Sequence, residues 1–322
     1  MTPELYPLQF TPILKERIWG GTKLKSELGK LTSSDNIGES WELSTVEENV
    51  SVVSNGAFAG LSLNELIEKY PTEILGRKVH DRFGKQFPLL FKFLDAREDL
   101  SIQVHPNDEL AKKRHNSLGK TEMWYVMHAN PGSRLIVGFN GKSSPADFMK
   151  NLDQKTLPSI LNQIEVKKGD VFLLETGTIH AIGAGIVVAE IQQTSDITYR
   201  VYDWDRVDAH GKSRDLHLDL AIDAINYDVT QSKKHYAKAA NTSNPVVDCK
   251  YFTTDFLPLE GEVKINKTGE TFTVYMCVEG SFELETSGGK YNYRTGDTIF
   301  IPAHLTDFTL AGNASLLEIY IS

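Results

Sequence analysis

Between Leu100 and Met127 the chain reads LSIQVHPNDELAKKRHNSLGKTEMWYVM, and this stretch carries a glutamine, a histidine, a lysine and a glutamate at spacings that suit one pocket. Gln103 and His105 are two apart, so in a β-strand they share a face, while Ile102 and Val104 turn toward apolar packing. Lys120 and Glu122 repeat that spacing where a second strand, EMWYVM, begins. If the two strands pair, all four side chains line one pocket. A lone histidine in a strand is more often a hydrogen-bonded core or surface residue than a ligand. His180, in KKGDVFLLETGTIHAIGAG, gives His105 company. Two imidazoles, one carboxylate and a nearby amide oxygen make the nitrogen and oxygen set that zinc takes in an open catalytic site. One carboxylate against a divalent ion also leaves positive charge to attract substrate oxygens.

The elements that must hold these groups are short and punctuated. Pro106 removes a backbone donor and ends the first strand; Asn107-Asp108 is a helix-start signal for a polar segment that returns the chain at Lys120. Gly169-Asp170 and Gly177 bracket an apolar strand before His180. Near the start, YPLQFTPILKERIWGG is broken by Pro and Gly, which suits strands and turns, with Trp19 either packed beside a turn or in a loop against a site. NIGESWELSTVEENVSVVSNGAF reads as a hairpin, with Glu39 a solvated strand position or a pocket carboxylate. SLNELIEKYP reads as a helix with Ser62 as cap, Glu65 completing a capping box and Pro71 following. SSPADFMKNLDQKTLPSILNQIEV reads as a helix pair capped by Ser144 with Pro145 in its first turn, and RDLHLDLAIDAINYD as an amphipathic helix linking two halves. Lys92 interrupts the apolar run from Phe87 to Leu94, so it either snorkels to the surface or waits for an anion. Arg200 ends a strand among acidic neighbours, which favours a surface ion pair.

At 322 residues the chain can bury a large core as two domains or one large β architecture. A formal net charge of −9 argues against a general nucleic-acid binder but not against an anionic small substrate, because the local field governs a pocket. Cys249 and Cys277 sit in ordinary apolar surroundings, so no disulfide framework is expected and a reducing cytoplasm is the natural setting. No apolar run approaches the ~20 residues of a membrane span, and MTPELYPLQFTPILKERIWGG lacks the order of a signal peptide. The expectation is a soluble cytoplasmic protein without nucleic-acid or membrane partners. VKKGDVFLLETGTIHAIG and YRTGDTIFIPAHLTDFTL align as an internal repeat, Gly169 over Gly296 and Asp170 over Asp297. His180 then falls on Asp307, so the second copy lacks the site, and His304 reads as structural. The polar stretch QSKKHYAKAANTSNPVV has the composition of a mobile connection. It divides the chain into residues 1–230, a metal-binding catalytic domain with helical segments, and 231–322, a degenerate copy.

The repeated Gly-Asp turns resemble the cupin superfamily. SIQVHPND, GKTEMWYV, GTIHAIGAG and IQQTSDITYRVYDWDR together resemble the type I phosphomannose isomerases in their shorter bacterial branch, from Gly38 to about Ile225. The long tyrosine-to-proline signature segment and the helical insertion of the longer enzymes are missing here, along with any substrate contacts they supply. The resemblance implies a mainly β fold of two cupin-type jelly-roll barrels with a few added helices. It also implies one zinc ion per chain on Gln103, His105, Glu122 and His180, a catalytic Arg200, and Lys120 in the pocket. Ser101 and Lys92 match positions tied to phosphate or pocket contacts. The implied reaction interconverts mannose 6-phosphate and fructose 6-phosphate through an enediol, in a monomer or homodimer. In it Lys120 could shuttle protons if the zinc lowers its pKa, and Arg200 would steady the enediolate. Two rival functions share these residues: an iron oxygenase, and a sugar-phosphate sensor without catalysis.

Overall fold

The computed structural model describes residues 5–208 and 210–322. The fold is mainly β. Seven strands form one sheet in the spatial order Ile13–Gly21, Ile37–Leu43, Leu89–Ala96, Ile186–Gln193, Glu122–Ala129, Val171–Leu174 and Lys233–Lys234. Five more form a second sheet, in the order Tyr199–Tyr202, Ile102–Val104, His180–Ile182, Arg134–Phe139 and Leu161–Glu165. The Ile102–Val104 strand therefore does not pair with Glu122–Ala129, as the sequence suggested. It pairs with the strands of His180 and Arg200 instead, and Glu122 faces it from the other sheet.

Alternation sorts the larger sheet cleanly. On its three central strands the odd positions, among them Phe91, Phe93, Met123, Tyr125, Val187 and Ile191, point outward into a core shared with helices and the C-terminal strands. The even positions point inward: Leu94, Trp124, Val126, Ile186 and Val188 meet Leu135, Val137 and Ile182 of the smaller sheet. Both faces are covered, which is why Phe87 to Leu94 reads as an almost continuous apolar run. Lys92 and Glu190 are inward even positions directly opposite each other on neighbouring strands.

Helices cover the outer faces. The Leu63–Lys69 helix has the expected capping box, with Glu65 N–H donating to Ser62 Oγ and Ser62 N–H to the Glu65 carboxylate. Pro71 does not end the helical region; it starts the Pro71–Leu75 helix at a first-turn position where its missing N–H costs nothing. Asn107 and Ser144 cap Asp108–His115 and Pro145–Asp153 as expected. Three expectations fail. Only Leu157–Ile160 of the second helix in the pair is helical, as a 3-10 turn, and Leu161–Glu165 is an edge strand on Arg134–Phe139. The helix after Arg214 shrinks to Leu218–Ile222 and lies against the smaller sheet rather than linking two halves. The Ile37–Leu43 strand pairs with Ile13–Gly21 and Leu89–Ala96, leaving only Thr45–Val46 and Asn49–Val50 as a small hairpin.

From Asn244 the chain forms a six-stranded sheet whose long strands Thr253–Asn266, Asp307–Tyr320 and Thr273–Thr286 lie side by side. The repeat is visible in its bonds. Gly169 and Gly296 both have φ near +90°, which suits glycine. Gly169 N–H donates to Val126 O (2.8 Å) and Gly296 N–H to Cys277 O (2.9 Å); Asp170 and Asp297 each accept a backbone N–H from three residues earlier, Lys167 and Arg294. Asp307, set against His180 by the repeat, is exposed and accepts from Asn266 and Thr306. The polar stretch between the sheets is tied down: Lys233–Lys234 pairs with Val171 and Phe172, and Tyr236 donates its hydroxyl to Gly169 O at 2.7 Å.

Candidate active site

Three strand ends meet between the sheets. His105 follows the Ile102–Val104 strand, His180 opens its own strand, and Glu122 opens the strand facing them. Each imidazole has its Nδ1 beside a backbone carbonyl, His105 at Ile197 O (2.9 Å) and His180 at Thr178 O (2.8 Å). A carbonyl only accepts, so Nδ1 carries the proton and each Nε2 lone pair faces inward. Glu122 Oε1 lies 3.3 Å from His180 Nε2, Glu122 Oε2 lies 3.5 Å from His105 Nε2, and the candidate ligand atoms fall within 4.8 Å of one another. All three residues are buried. Among the described residues, Glu122 Oε1 and His180 Nε2 have no hydrogen-bond partner.

Lys120 closes the cluster, its Nζ 2.5 Å from Glu122 Oε2 and 3.0 Å from His105 Nε2. Burial pulls both histidines below their ordinary pKa, His105 well below it and His180 to about 4, and the Lys120 charge adds to this. They are neutral at pH 7, as metal ligands must be. Burial also opposes the Lys120 ammonium, yet Glu122 and Glu190 outweigh it and hold that pKa above the usual lysine value. Without a bound cation the protein's own groups thus act opposite to the expected lowering. Burial, helped by Glu190, pushes Glu122 up to about 7 against the pull of Lys120. Glu190 is held at about 2 because Lys92, Lys120 and the Trp124 indole overcome its burial.

The cluster borders a cavity of about 560 Å³, within the range of small-ligand sites. Gln103 lines it, in backbone register with both His180 and Arg200, and so do Ser101, Lys92, Lys120 and Arg200. Among the described residues Arg200 makes no ion pair: its Nη1 donates to the Asp215 carbonyl (2.9 Å), and its buried Nε has no partner. Lys92 does not snorkel. It lies 3.1 Å from Glu190 and 3.9 Å from Glu39, with its ammonium over the Trp41 ring. Glu39 is buried rather than solvated, receiving Trp41 Nε1 (2.6 Å) and Arg17 Nε (2.7 Å). Sequence reasoning missed Glu190, which accepts from Trp124 Nε1 at 2.8 Å, and also Lys15, Arg17 and Arg214 on the cavity wall. Glu190 did leave a signal: like Lys92 it is a lone charge in an apolar strand.

Known proteins resemble the whole chain. The family model for the phosphomannose isomerase type I catalytic domain matches residues 7–125, and that for the mannose-6-phosphate isomerase cupin domain matches 242–321. Mannose-6-phosphate isomerase ManA of Bacillus subtilis (strain 168) is 37% identical over 98% of this chain and 99% of its own length. The chain belongs to the type I phosphomannose isomerases. Streptococcus mutans mannose-6-phosphate isomerase is 34% identical over 97% of each chain. A crystal structure of the Bacillus subtilis mannose 6-phosphate isomerase superposes with a TM-score of 0.89 at 33% identity, covering 98% of this chain and 99% of that one. In this phosphomannose isomerase family member the catalytic-domain match contains Gln103, His105, Lys120 and Glu122, while His180 and Arg200 lie beyond it. The cupin-domain match coincides with the C-terminal sheet. No described helix is long and apolar enough to cross a membrane.

Proposed function

We propose that this protein interconverts mannose 6-phosphate and fructose 6-phosphate through an enediol, with one zinc ion held by Gln103, His105, Glu122 and His180. The observation that carries the reading is the approach of Glu122 Oε1 to His180 Nε2. Among the described residues both atoms are buried without hydrogen-bond partners and lie 3.3 Å apart, so their lone pairs repel unless a proton or a metal cation lies between them, and the second imidazole, 3.5 Å from the other oxygen of the same carboxylate, favours the metal. Two neutral imidazoles, a carboxylate and an amide oxygen fit zinc, and the carbonyls behind both Nδ1 atoms fix the ring orientations. When bound, zinc supplies Lewis-acid polarisation of the sugar oxygens.

The chain's own groups supply the rest. Isomerisation moves a proton between two adjacent carbons while charge develops on their oxygens. Lys120, with its ammonium beside Glu122 at the cavity wall, can give and retake a proton at those oxygens. Arg200, with an unpartnered Nε at the same cavity, stabilises the enediolate. Ser101 and Lys92 contact the phosphate end, Lys92 sharing its ammonium with Glu190 and Glu39. The repeated turn and matching strand order support two jelly-roll barrels, residues 1–230 and 231–322, with Lys233–Lys234 lent back as an edge strand. Two unpaired cysteines, one with its thiol pushed by burial up to about 12, suit a reducing cytoplasm. The proposal includes a monomer or homodimer acting on a free sugar phosphate.

Metal analysis tests the ligand set. Purified His105→Ala and His180→Ala are expected to lose zinc and at least ~100-fold in turnover, since even second-layer partners of metal ligands are worth 10–100-fold. Full turnover in either metal-depleted variant removes the metal from the reaction; iron together with oxygen consumption in the native protein replaces the isomerase with an oxygenase.

A further inference from the structure

Lys120 sits in no regular element. It lies on the short link between the Asp108–His115 helix and the Glu122–Ala129 strand, and its neighbours on both sides are fastened through the backbone. Gly119 N–H donates to Asp108 Oδ1 at 3.0 Å, and Thr121 N–H donates to Gln193 Oε1 at 2.9 Å. Gln193 N–H returns a bond to Thr121 O (3.1 Å), and its amide Nε2 donates to the same Asp108 Oδ1 (3.0 Å). The remaining oxygen, Asp108 Oδ2, accepts the hydroxyl of Tyr251 at 2.7 Å. Tyr251 belongs to the C-terminal part of the chain, in the turn between Asn244–Asp248 and Thr253–Asn266, with the Lys250 ammonium 3.5 Å from the same oxygen. One carboxylate thus ties the start of a helix, the link bearing Lys120, the end of a central strand and the six-stranded C-terminal sheet. Gly119 is needed for the close approach, because a Cβ there would lie 2.7 Å from Asp108 N.

Asp108, Gln193 and Tyr251 do not line the cavity. We infer that these three residues are positioning residues for Lys120, and that through Tyr251 the C-terminal domain sets the aim of the lysine in the N-terminal site. The inference rests on the reading of Lys120 as a group that acts on substrate. A lysine side chain has four rotatable bonds, so placing its Nζ to a few tenths of an ångström requires a fixed backbone beneath it. Asp108 fits this task because both its oxygens are used, and Asn107, not Asp108, provides the helix cap.

The test is steady-state kinetics and zinc content of Tyr251→Phe, Asp108→Ala and Asp108→Asn, with Lys120→Ala and Arg82→Ala run alongside. Tyr251→Phe removes one hydroxyl and keeps the ring, so it is expected to fold even if Asp108→Ala does not. Tyr251→Phe should lower kcat about 10-fold and Asp108→Ala more, with KM and zinc content unchanged within twofold. Asp108→Asn keeps an acceptor for Gly119 and Gln193 and can donate to Tyr251, so it should restore most of kcat. Arg82→Ala removes a bond to the neighbouring Lys250 carbonyl without touching Asp108 and should leave kcat unchanged. Normal kcat in Tyr251→Phe, or losses that track melting temperature or zinc rather than kcat, overturn the positioning role. Normal turnover in Lys120→Ala overturns the reading of the lysine itself, which separates the two failures.

Discussion

Two buried neutral imidazoles and one buried carboxyl respond to acid in opposite senses. An unfolded histidine titrates near 6.5. In the fold His180 is held at about 4 and His105 well below 6.5, so as the pH falls the unfolded chain binds two protons that the fold refuses. Glu122, pushed up to about 7, does the reverse and takes its proton in the fold before an unfolded glutamate near 4.3 would. Of these three groups the two imidazoles outweigh the one carboxyl, so their combined contribution makes stability slope downward as the pH falls from about 6.5 toward the range of His180. Denaturant melts of zinc-free protein across that window should show the slope, and a flat profile contradicts the buried neutral pair. Arg200→Ala should keep its zinc and lose turnover by about 10²–10³-fold, the usual cost of one preorganised donor; unchanged turnover in a zinc-replete variant reduces Arg200 to a tether for Asp215. His105, Glu122 and His180 were legible because ligand types next to strand breaks are a local signal. The pairing of Lys92 with Glu190 was not, because it depends on strand order across about a hundred residues.

Strand order also decides how an inward charge pair behaves. Lys92 and Glu190 lie opposite each other on adjacent central strands, both buried, with Trp41 and Trp124 covering them. Lys92→Met leaves Glu190 without its main cation and should destabilise the fold by about 3–5 kcal/mol, whereas the double change Lys92→Met with Glu190→Met should cost clearly less. Chemical denaturation of the three variants reads this directly; a double cost equal to the sum of the two single costs means that the pair is not coupled. The caps at Ser62, Asn107 and Ser144 were legible for the same local reason as the His–Glu–His cluster, since each bond spans three residues. Leu161–Glu165 and the residues around Leu216 misled because their apolar spacing fits a helix, while in one case the neighbouring Arg134–Phe139 edge takes the segment and in the other Asp215 and His217 bond to Arg200 at the edge of the smaller sheet, leaving Leu216 exposed. The site geometry follows from this order: facing sheets, not paired strands, bring Glu122 to His180.

Across the whole molecule the two halves share a plan of strands. The order Leu89–Ala96, Ile186–Gln193, Glu122–Ala129, Val171–Leu174 recurs as Thr253–Asn266, Asp307–Tyr320, Thr273–Thr286, Thr298–Ile301. Even an interior bond is repeated: Trp124 to Glu190 in the first half, Tyr275 to Glu318 at 2.6 Å in the second, each across directly opposed residues. The second half keeps the buried glutamate but offers no His–Glu–His cluster among the described residues. The Gly-Asp turns made the repeat legible, but the contact of Tyr251 with Asp108 joins residues 143 apart and has no sequence signal. The most direct test of the account is a coupled assay on mannose 6-phosphate with the purified protein as isolated, after chelation, and after zinc is restored. The account predicts turnover that disappears with the chelator and returns with zinc; a folded, zinc-loaded protein with no turnover on mannose 6-phosphate contradicts it.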